Sequence, residues 1–133
     1  MKKSCIDLFC GVGGLTHGFV LEGLPVTAGI DLDPACRFPY EANNGAKFLQ
    51  RDISKVTAAE LDELFGNAEF RILAGCAPCQ PFSTYAQRYE LDGKDGKWGL
   101  LYKFARLAKG TRPDVITMEN VPTVARRAVF HDF

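Results

Sequence analysis

The chain has 133 residues, of which 47% are apolar and 24% are charged, a composition that excludes a disordered protein and allows one small core. Sixteen basic residues balance sixteen acidic ones, whereas a free-standing nucleic-acid binder usually carries a basic excess. No apolar run has membrane length and no signal-peptide pattern is present. The five cysteines are an odd number, which argues against a disulfide framework and predicts reduced thiols in a cytoplasmic protein.

Strand and helix patterns alternate along the chain. Short apolar runs predict five strands, at residues 4–9, 26–30, 47–50, 70–74 and 114–118. Segments with helical spacing and helix-start or helix-stop residues predict four helices, at 15–21, from Pro34 towards Asn43, at 58–65 and at 100–109. Residues 80–97 have no clear period and predict a long mobile loop. This alternation predicts an α/β fold, a doubly wound and mostly parallel sheet with helices on both faces, in a single domain.

The distinctive residues fall where predicted strands end. They are the turn Gly11–Gly14, then Asp31, Asp52, Cys79 and Glu119, one feature after each strand in chain order. In an open parallel sheet the carboxyl ends of the strands line the ligand crevice. The sequence therefore predicts that these residues meet at one edge of the sheet.

Each of the first three features also has a purely structural interpretation. The Gly11–Gly14 turn permits close approach of a ligand, or is only a tight turn, and Thr16 stands where a dinucleotide fingerprint has its third glycine. Asp31 can accept hydrogen bonds from two ribose hydroxyls, or cap the helix that Pro34 opens. Asp52 can contact a ligand or cap a local turn.

Cys79 stands between Pro78 and Pro81 on a stiff loop, a setting that suits an exposed nucleophile better than a structural cysteine. Cys76 and Cys79 also form a C-x-x-C pair. A zinc site would need a second spaced pair, which the other cysteines and histidines do not supply, so no metal is predicted. Glu119 ends an apolar strand, where it serves either a ligand or a structural ion pair.

Three segments resemble the motifs of the cytosine-5 DNA methyltransferases. Residues 7–15 (DLFCGVGGL) resemble the cofactor motif of that family, residues 75–83 (GCAPCQPFS) its catalytic loop, and residues 118–122 (MENVP) its acidic motif. They occur in the family's order and approximate spacing, and the likeness extends over essentially the whole chain. The resemblance implies a Rossmann-like methyltransferase fold that uses S-adenosylmethionine.

The resemblance also implies which residues bind that cofactor. The methionine end would lie against Phe9 and the turn, with the ribose at Asp31 and the adenine near Leu32, Asp52 and Ile53. Pro78 and Leu101 would complete the wall. The implied set is Phe9, Gly11, Val12, Gly13, Gly14, Asp31, Leu32, Asp52, Ile53, Pro78 and Leu101.

The implied chemistry assigns two catalytic residues. Cys79 would attack carbon 6 of cytosine, which makes carbon 5 electron-rich enough to accept a methyl group, and Glu119 would hydrogen-bond the ring nitrogen and the exocyclic amine. Because a duplex hides these atoms, the base would be flipped out of double-stranded DNA. Ser83, Asn120 and Val121 would contact this substrate.

Family members continue beyond the third motif with a Gln-x-Arg-x-Arg segment, a target recognition region and a late segment that completes the cofactor pocket, and none of these occurs in residues 1–133. We therefore expect the chain to be the amino-terminal part of the catalytic domain of a restriction–modification methyltransferase, truncated or completed by a second chain, and inactive alone. The missing region would supply most DNA contacts. A tRNA methyltransferase of the same family and a non-catalytic binding fragment remain alternatives.

Overall fold

A computed structural model describes residues 1–78, 99–126 and 128–133. Within these ranges five strands form one sheet, in which every neighbouring pair is parallel and the order is β3-β2-β1-β4-β5. The strands are β1 (Lys3–Leu8), β2 (Val26–Asp31), β3 (Lys47–Gln50), β4 (Phe70–Gly75) and β5 (Val115–Met118). The predicted α/β architecture is thereby confirmed, while the predicted loop at 80–97 lies outside the described residues.

Helices and short 3-10 turns connect the strands. They are α1 (Gly14–Leu21), a 3-10 turn (Pro34–Cys36), α2 (Arg37–Asn44), α3 (Ala58–Phe65), α4 (Gly99–Thr111), a second 3-10 turn (Pro122–Arg126) and α5 (Ala128–Asp132). No helix within the described ranges has the length and apolarity needed to cross a membrane.

The helix predicted to run from Pro34 is divided in two. A continuous α-helix would need the backbone N–H of residue 39 to bond the carbonyl of Ala35, and residue 39 is a proline without an N–H. The chain therefore makes a 3-10 turn up to Cys36 and starts α2 at Arg37, which places Pro39 in the first turn of the new helix.

The segment after β5 has structure that the sequence pattern did not predict. Pro122–Arg126 and Ala128–Asp132 are helical, and they bury Val124 and Val129 in the main core. Each of these elements is only five residues long, which is too short for an apolar position to recur over several helical turns and so reveal a helix.

The core lies on both faces of the sheet because successive strand residues point to opposite sides. Ile6 and Leu8 belong to the cluster that α3 and α4 cover. Cys5 lies in a separate cluster with Leu15 and Phe19 of α1. Burial on both faces explains why the central strands read as continuous apolar runs.

Helix α3 begins with a reciprocal cap that is expected to contribute measurably to stability. Thr57 accepts a hydrogen bond from the Glu60 backbone N–H, and the Glu60 carboxylate accepts one from the Thr57 N–H. Thr57→Ala should lower the free energy of unfolding by about 1 kcal/mol in a urea titration, because it leaves a helix donor unbonded. Glu63→Ala, an exposed change in the same helix, should have almost no effect; equal losses in the two variants would contradict the cap.

Candidate active site

The turn after β1 has a backbone that is shaped for close packing. Phe9 has a φ of 58° and Gly13 one of 92°, both in the left-handed region. A Cβ on Gly13 would lie 2.8 Å from the Tyr40 ring and would also overlap the Asn44 side chain. Glycine is therefore required at position 13 both by the backbone angle and by the space available, and the turn lies directly against α2.

Asp31, at the end of β2, holds this turn in place. Its side chain is fully buried, and Oδ2 accepts a hydrogen bond from the Gly11 N–H at 2.8 Å while Oδ1 accepts one from the Asp33 N–H at 2.9 Å. The 3-10 turn at Pro34 is capped by the side chain of Asp33, which accepts from the Ala35 N–H. Asp31 thus fixes the glycine turn and does not serve as the helix cap.

The neighbouring strand end supplies a second acidic turn. Asp52 Oδ1 accepts hydrogen bonds from the backbone N–H and the hydroxyl of Ser54, at 2.9 and 2.7 Å. Ile53 beside it is fully buried. The capping interpretation of Asp52 therefore accounts for one of its oxygens, and the other is available at the edge of the sheet.

Four apolar residues predicted to contact a cofactor lie in or against one cluster. Phe9, Ile53 and Leu101 are core members and Leu32 packs against them while keeping partial exposure. They come from four separate segments of the sequence, and the parallel sheet brings them together beneath its carboxyl edge.

Glu119 is connected to the segment that leads into Pro78 and Cys79. The Cys76 thiol donates to Glu119 Oε2, with 2.9 Å between Sγ and Oε2, and the Asn120 side-chain amide donates to the Ala77 carbonyl at 3.1 Å. The Glu119 backbone N–H bonds the Gly75 carbonyl at 3.0 Å. The loop after β5 is therefore tied to the loop after β4 at three points, two of them through side chains.

A cavity of about 390 Å³ opens between these two loops and the glycine turn. It is lined by Asp7, Phe9, Cys10, Gly11, Gly14, Leu15, Cys76 and Glu119. Two of the eight lining residues are acidic and none is basic, which suits a ligand with positive charge.

Asp7 is the buried acid of this cavity. Its Oδ2 accepts a hydrogen bond from the Thr16 hydroxyl at 2.7 Å, and because that proton is used, the Tyr40 hydroxyl donates to Thr16 Oγ1 at 3.0 Å. Asp7 is fully buried and its Oδ1 has no hydrogen-bond partner among the described residues. Burial raises the pKa of Asp7 to about 6, and the hydrogen bonds from Thr16 only partly offset this effect.

This raised pKa predicts a pH-dependent stability. Asp7 binds its proton more tightly in the folded chain than in the unfolded one, so its contribution to stability is complete below about pH 4 and is lost as the pH rises through about 6. The loss should amount to about 3 kcal/mol in the free energy of unfolding of the wild type. In urea titrations, raising the pH from 4 to 7 should therefore lower the free energy of unfolding of the wild type by more than that of Asp7→Asn. An equal change in the two proteins would contradict the assignment.

Other predicted site residues are distributed as follows. Val12 and Val121 are exposed and Pro78 is half-buried, at the end of a described segment. Cys79 and Ser83 lie outside the described residues, so their predicted roles stay predictions. No group of three or more metal-ligating side chains occurs in the described ranges.

The sequence interpretation gave no individual site role to Asp7, Thr16, Tyr40 or Cys76, although Asp7 and Cys76 lie within two of the matched motifs. Asp7 carried a detectable signal, because an acidic residue inside a strand buried on both faces needs a buried partner. Tyr40 carried none, since its distance from Thr16 depends on how α2 packs.

Comparisons with known proteins place this chain among methyltransferases. The family model for C-5 cytosine-specific DNA methylase matches residues 3–129. The Type II methylase M.HgiDII of Herpetosiphon aurantiacus is 50% identical over the whole chain, which spans 38% of that methylase. The Type II methyltransferase M.AquIA of Picosynechococcus sp. is 30% identical over 91% of the chain, which spans 49% of it. The chain therefore covers less than half the length of either relative.

Solved structures agree with the fold. A crystal structure described as that of a DNA modification methyltransferase encoded within an E. coli prophage superposes with a TM-score of 0.76 at 27% identity, covering 97% of this chain and 36% of the other. The S. pombe Dnmt2 methyltransferase superposes with a TM-score of 0.73 at 20% identity, covering 98% of this chain and 38% of the other, a likeness of fold alone. The family model matches residues 3–129, nearly the whole chain, so the chain belongs to the C-5 cytosine-specific DNA methylases.

Proposed function

We propose that this chain forms the cofactor-binding and catalytic part of a methyltransferase that modifies carbon 5 of cytosine in DNA. The observation that carries the proposal is the attachment of Glu119 and Asn120 to Cys76 and Ala77, beside the cavity at the glycine turn. This attachment holds the acidic residue next to the segment that enters Pro78 and Cys79. The nucleophile Cys79 and the acidic residue Glu119 would thus act on the same cytosine ring.

The described residues fit S-adenosylmethionine as the cofactor. The cavity has an acidic lining without basic residues, and the cofactor carries a sulfonium and an ammonium group. A Cβ on Gly11 or Gly14 would meet no atom within 4 Å, so there is open space beside the turn. When bound, the cofactor supplies an activated methyl group. Phe9, Leu32, Ile53 and Leu101 would provide apolar surface for it.

We propose that Cys79 forms a bond to carbon 6 of the flipped cytosine as a thiolate. Glu119 would accept hydrogen bonds from the ring nitrogen, once this has taken up a proton, and from the exocyclic amine, and the proton held at the ring nitrogen neutralises the electron density that moves into the ring. Carbon 5 then accepts the methyl group. Loss of the carbon 5 proton to a base, with cleavage of the bond between Cys79 and carbon 6, restores the thiolate and the aromatic ring.

DNA binding is proposed to depend on sequence beyond residues 1–133. The relatives M.HgiDII and M.AquIA are more than twice as long as the portion that matches this chain. The chain itself has no net charge to hold a phosphate backbone. We propose double-stranded DNA as the substrate, in keeping with restriction–modification, and expect the further sequence to choose the recognition site.

A chimaera tests this function directly. Residues 1–133 would replace the matching segment of M.HgiDII, whose 50% identity favours correct assembly, and the product would be assayed with methyl-labelled S-adenosylmethionine. Label in 5-methylcytosine of duplex DNA is the expected result. Label in tRNA alone would replace the DNA proposal with the RNA alternative. A folded chimaera that binds the cofactor but labels neither substrate would favour the non-catalytic alternative.

A further inference from the structure

Cys76 is the member of the C-x-x-C pair to which the proposed chemistry gives no part. It follows β4 directly and precedes Cys79 by three positions in the sequence. Its side chain is exposed and lines the same cavity as Glu119. The contact between these two side chains indicates what the first cysteine of the pair does.

The thiol of Cys76 holds the outer end of the Glu119 side chain. The Glu119 backbone N–H bonds the Gly75 carbonyl, which fixes the main chain but leaves the side-chain torsions free to rotate. Glu119 is exposed, so close packing does not confine these torsions. Within the described ranges the Cys76 thiol is the one hydrogen-bond donor to the carboxylate, with 2.9 Å between Sγ and Oε2. This contact therefore selects the orientation of the Glu119 carboxylate.

A thiol suits this position because it is a weak donor. A carboxylate has about four acceptor sites on its two oxygens, so the bond from Cys76 leaves Oε1 and part of Oε2 for a substrate. A lysine or arginine side chain in its place would form a strong charged pair and neutralise the charge that Glu119 presents to the ring. The Cys76 thiol thus orients the carboxylate without cancelling its charge.

We propose that Cys76 is a positioning residue for methyl transfer, whose thiol orients the Glu119 carboxylate towards the flipped cytosine. The inference rests on the proposed function for the role of Glu119, and it adds a residue that acts through Glu119. Preorganised groups stabilise a transition state well because they do not have to reorient during the reaction. Without the thiol, Glu119 would lose rotational freedom in every turnover, so the rate of methyl transfer should fall.

Two substitutions of similar size separate the hydrogen bond from the packing of the side chain. Cys76→Ser keeps a hydroxyl donor and Cys76→Ala removes the donor, while both remove the sulfur atom. Single-turnover methylation of duplex DNA would be measured in the chimaera with M.HgiDII at saturating labelled S-adenosylmethionine, and thermal unfolding would establish that each variant folds. Cys36→Ala, at a partly buried position outside the cavity-lining set, is the matched control.

The expected result follows the donor and not the size of the side chain. Cys76→Ala should slow methyl transfer about tenfold, the scale of one hydrogen bond to a charged group. Cys76→Ser should stay within about threefold of the wild-type rate, and Cys36→Ala within about twofold. In a chimaera that already carries Glu119→Ala, adding Cys76→Ala should change the rate by less than about twofold, because the acceptor is gone.

Three outcomes would count against the inference. Equal slowing by Cys76→Ser and Cys76→Ala, or a further tenfold loss in the Glu119→Ala background, would overturn it alone, since the thiol would then act through packing. A wild-type rate in Cys76→Ala, with Glu119→Gln still slow, would also overturn it alone. A wild-type rate in Glu119→Gln would overturn it together with the proposed role of Glu119.

Discussion

Replacing Glu119 with glutamine should lower kcat for DNA methylation about 100- to 1000-fold in the chimaera with M.HgiDII. Glutamine can still accept a bond from the Cys76 thiol through its amide oxygen, so the link between the two loops is retained. It cannot supply the negative charge that stabilises a protonated cytosine ring, and the removal of one such preorganised group costs a factor of this size. The loss should appear in kcat, because the interaction strengthens only as Cys79 attacks.

Glu63→Gln is the matched control for this variant. Glu63 is an exposed residue of α3, away from the cavity-lining set, and the same change there should leave kcat unaltered. Thermal unfolding would establish that both variants fold. A Glu119→Gln chimaera that retains more than about a third of the wild-type kcat would contradict a catalytic role for Glu119.

Replacing Gly29 with alanine should cost about 3 kcal/mol of folding free energy, the scale of a severe steric change in a core. Gly29 lies in β2 beside Asp7 of β1, and an added Cβ would overlap the ring and the hydroxyl of Tyr40, with Cε2 at 2.6 Å. Tyr40 is fully buried and bonds Thr16, so it cannot move aside without breaking that hydrogen bond. A urea titration would measure the loss.

Gly18→Ala separates this packing effect from the loss of a glycine as such. Gly18 lies in α1, where an added Cβ would meet no atom within 4 Å. Alanine favours a helix more than glycine does, so this variant should be neutral or more stable by about 0.5–1 kcal/mol. Equal destabilisation of the two variants would contradict the packing of Tyr40 on Gly29.

The sequence was sufficient to predict the sheet because strand and helix signals were local. Strand β3 and helix α3 have the predicted bounds, since the stop residues Gly45 and Gly66 are recognisable from the sequence alone. Pro39 could have indicated the division of the helix after Pro34, because its missing N–H is also a local property. The short helical elements after β5 depend on the burial of Val124 and Val129, which no local pattern reports.

For the site, as for the fold, the sequence predicted the positions of residues along the sheet but not their contacts. The glycine turn, Asp31, Asp52 and Glu119 each follow a predicted strand, which predicted that they lie at one edge of the sheet, and parallel pairing puts them there. The hydrogen bonds between side chains were beyond prediction. Asp31 bonds the turn, and Cys76 bonds Glu119, only because of their positions in three dimensions. The roles of Cys79 and Ser83 rest on sequence.

The most direct test of the proposed chemistry is covalent trapping on duplex DNA that contains 5-fluorocytosine at the recognition site of the chimaera. Fluorine at carbon 5 cannot leave as the proton does, so a thioether formed at carbon 6 would persist after methyl transfer. The wild-type chimaera should give a cofactor-dependent complex that survives denaturation, with mass spectrometry locating the bond at Cys79. Cys79→Ala should give none. An adduct that persists in Cys79→Ala, or one located at another residue, would contradict the assignment of Cys79 as the nucleophile.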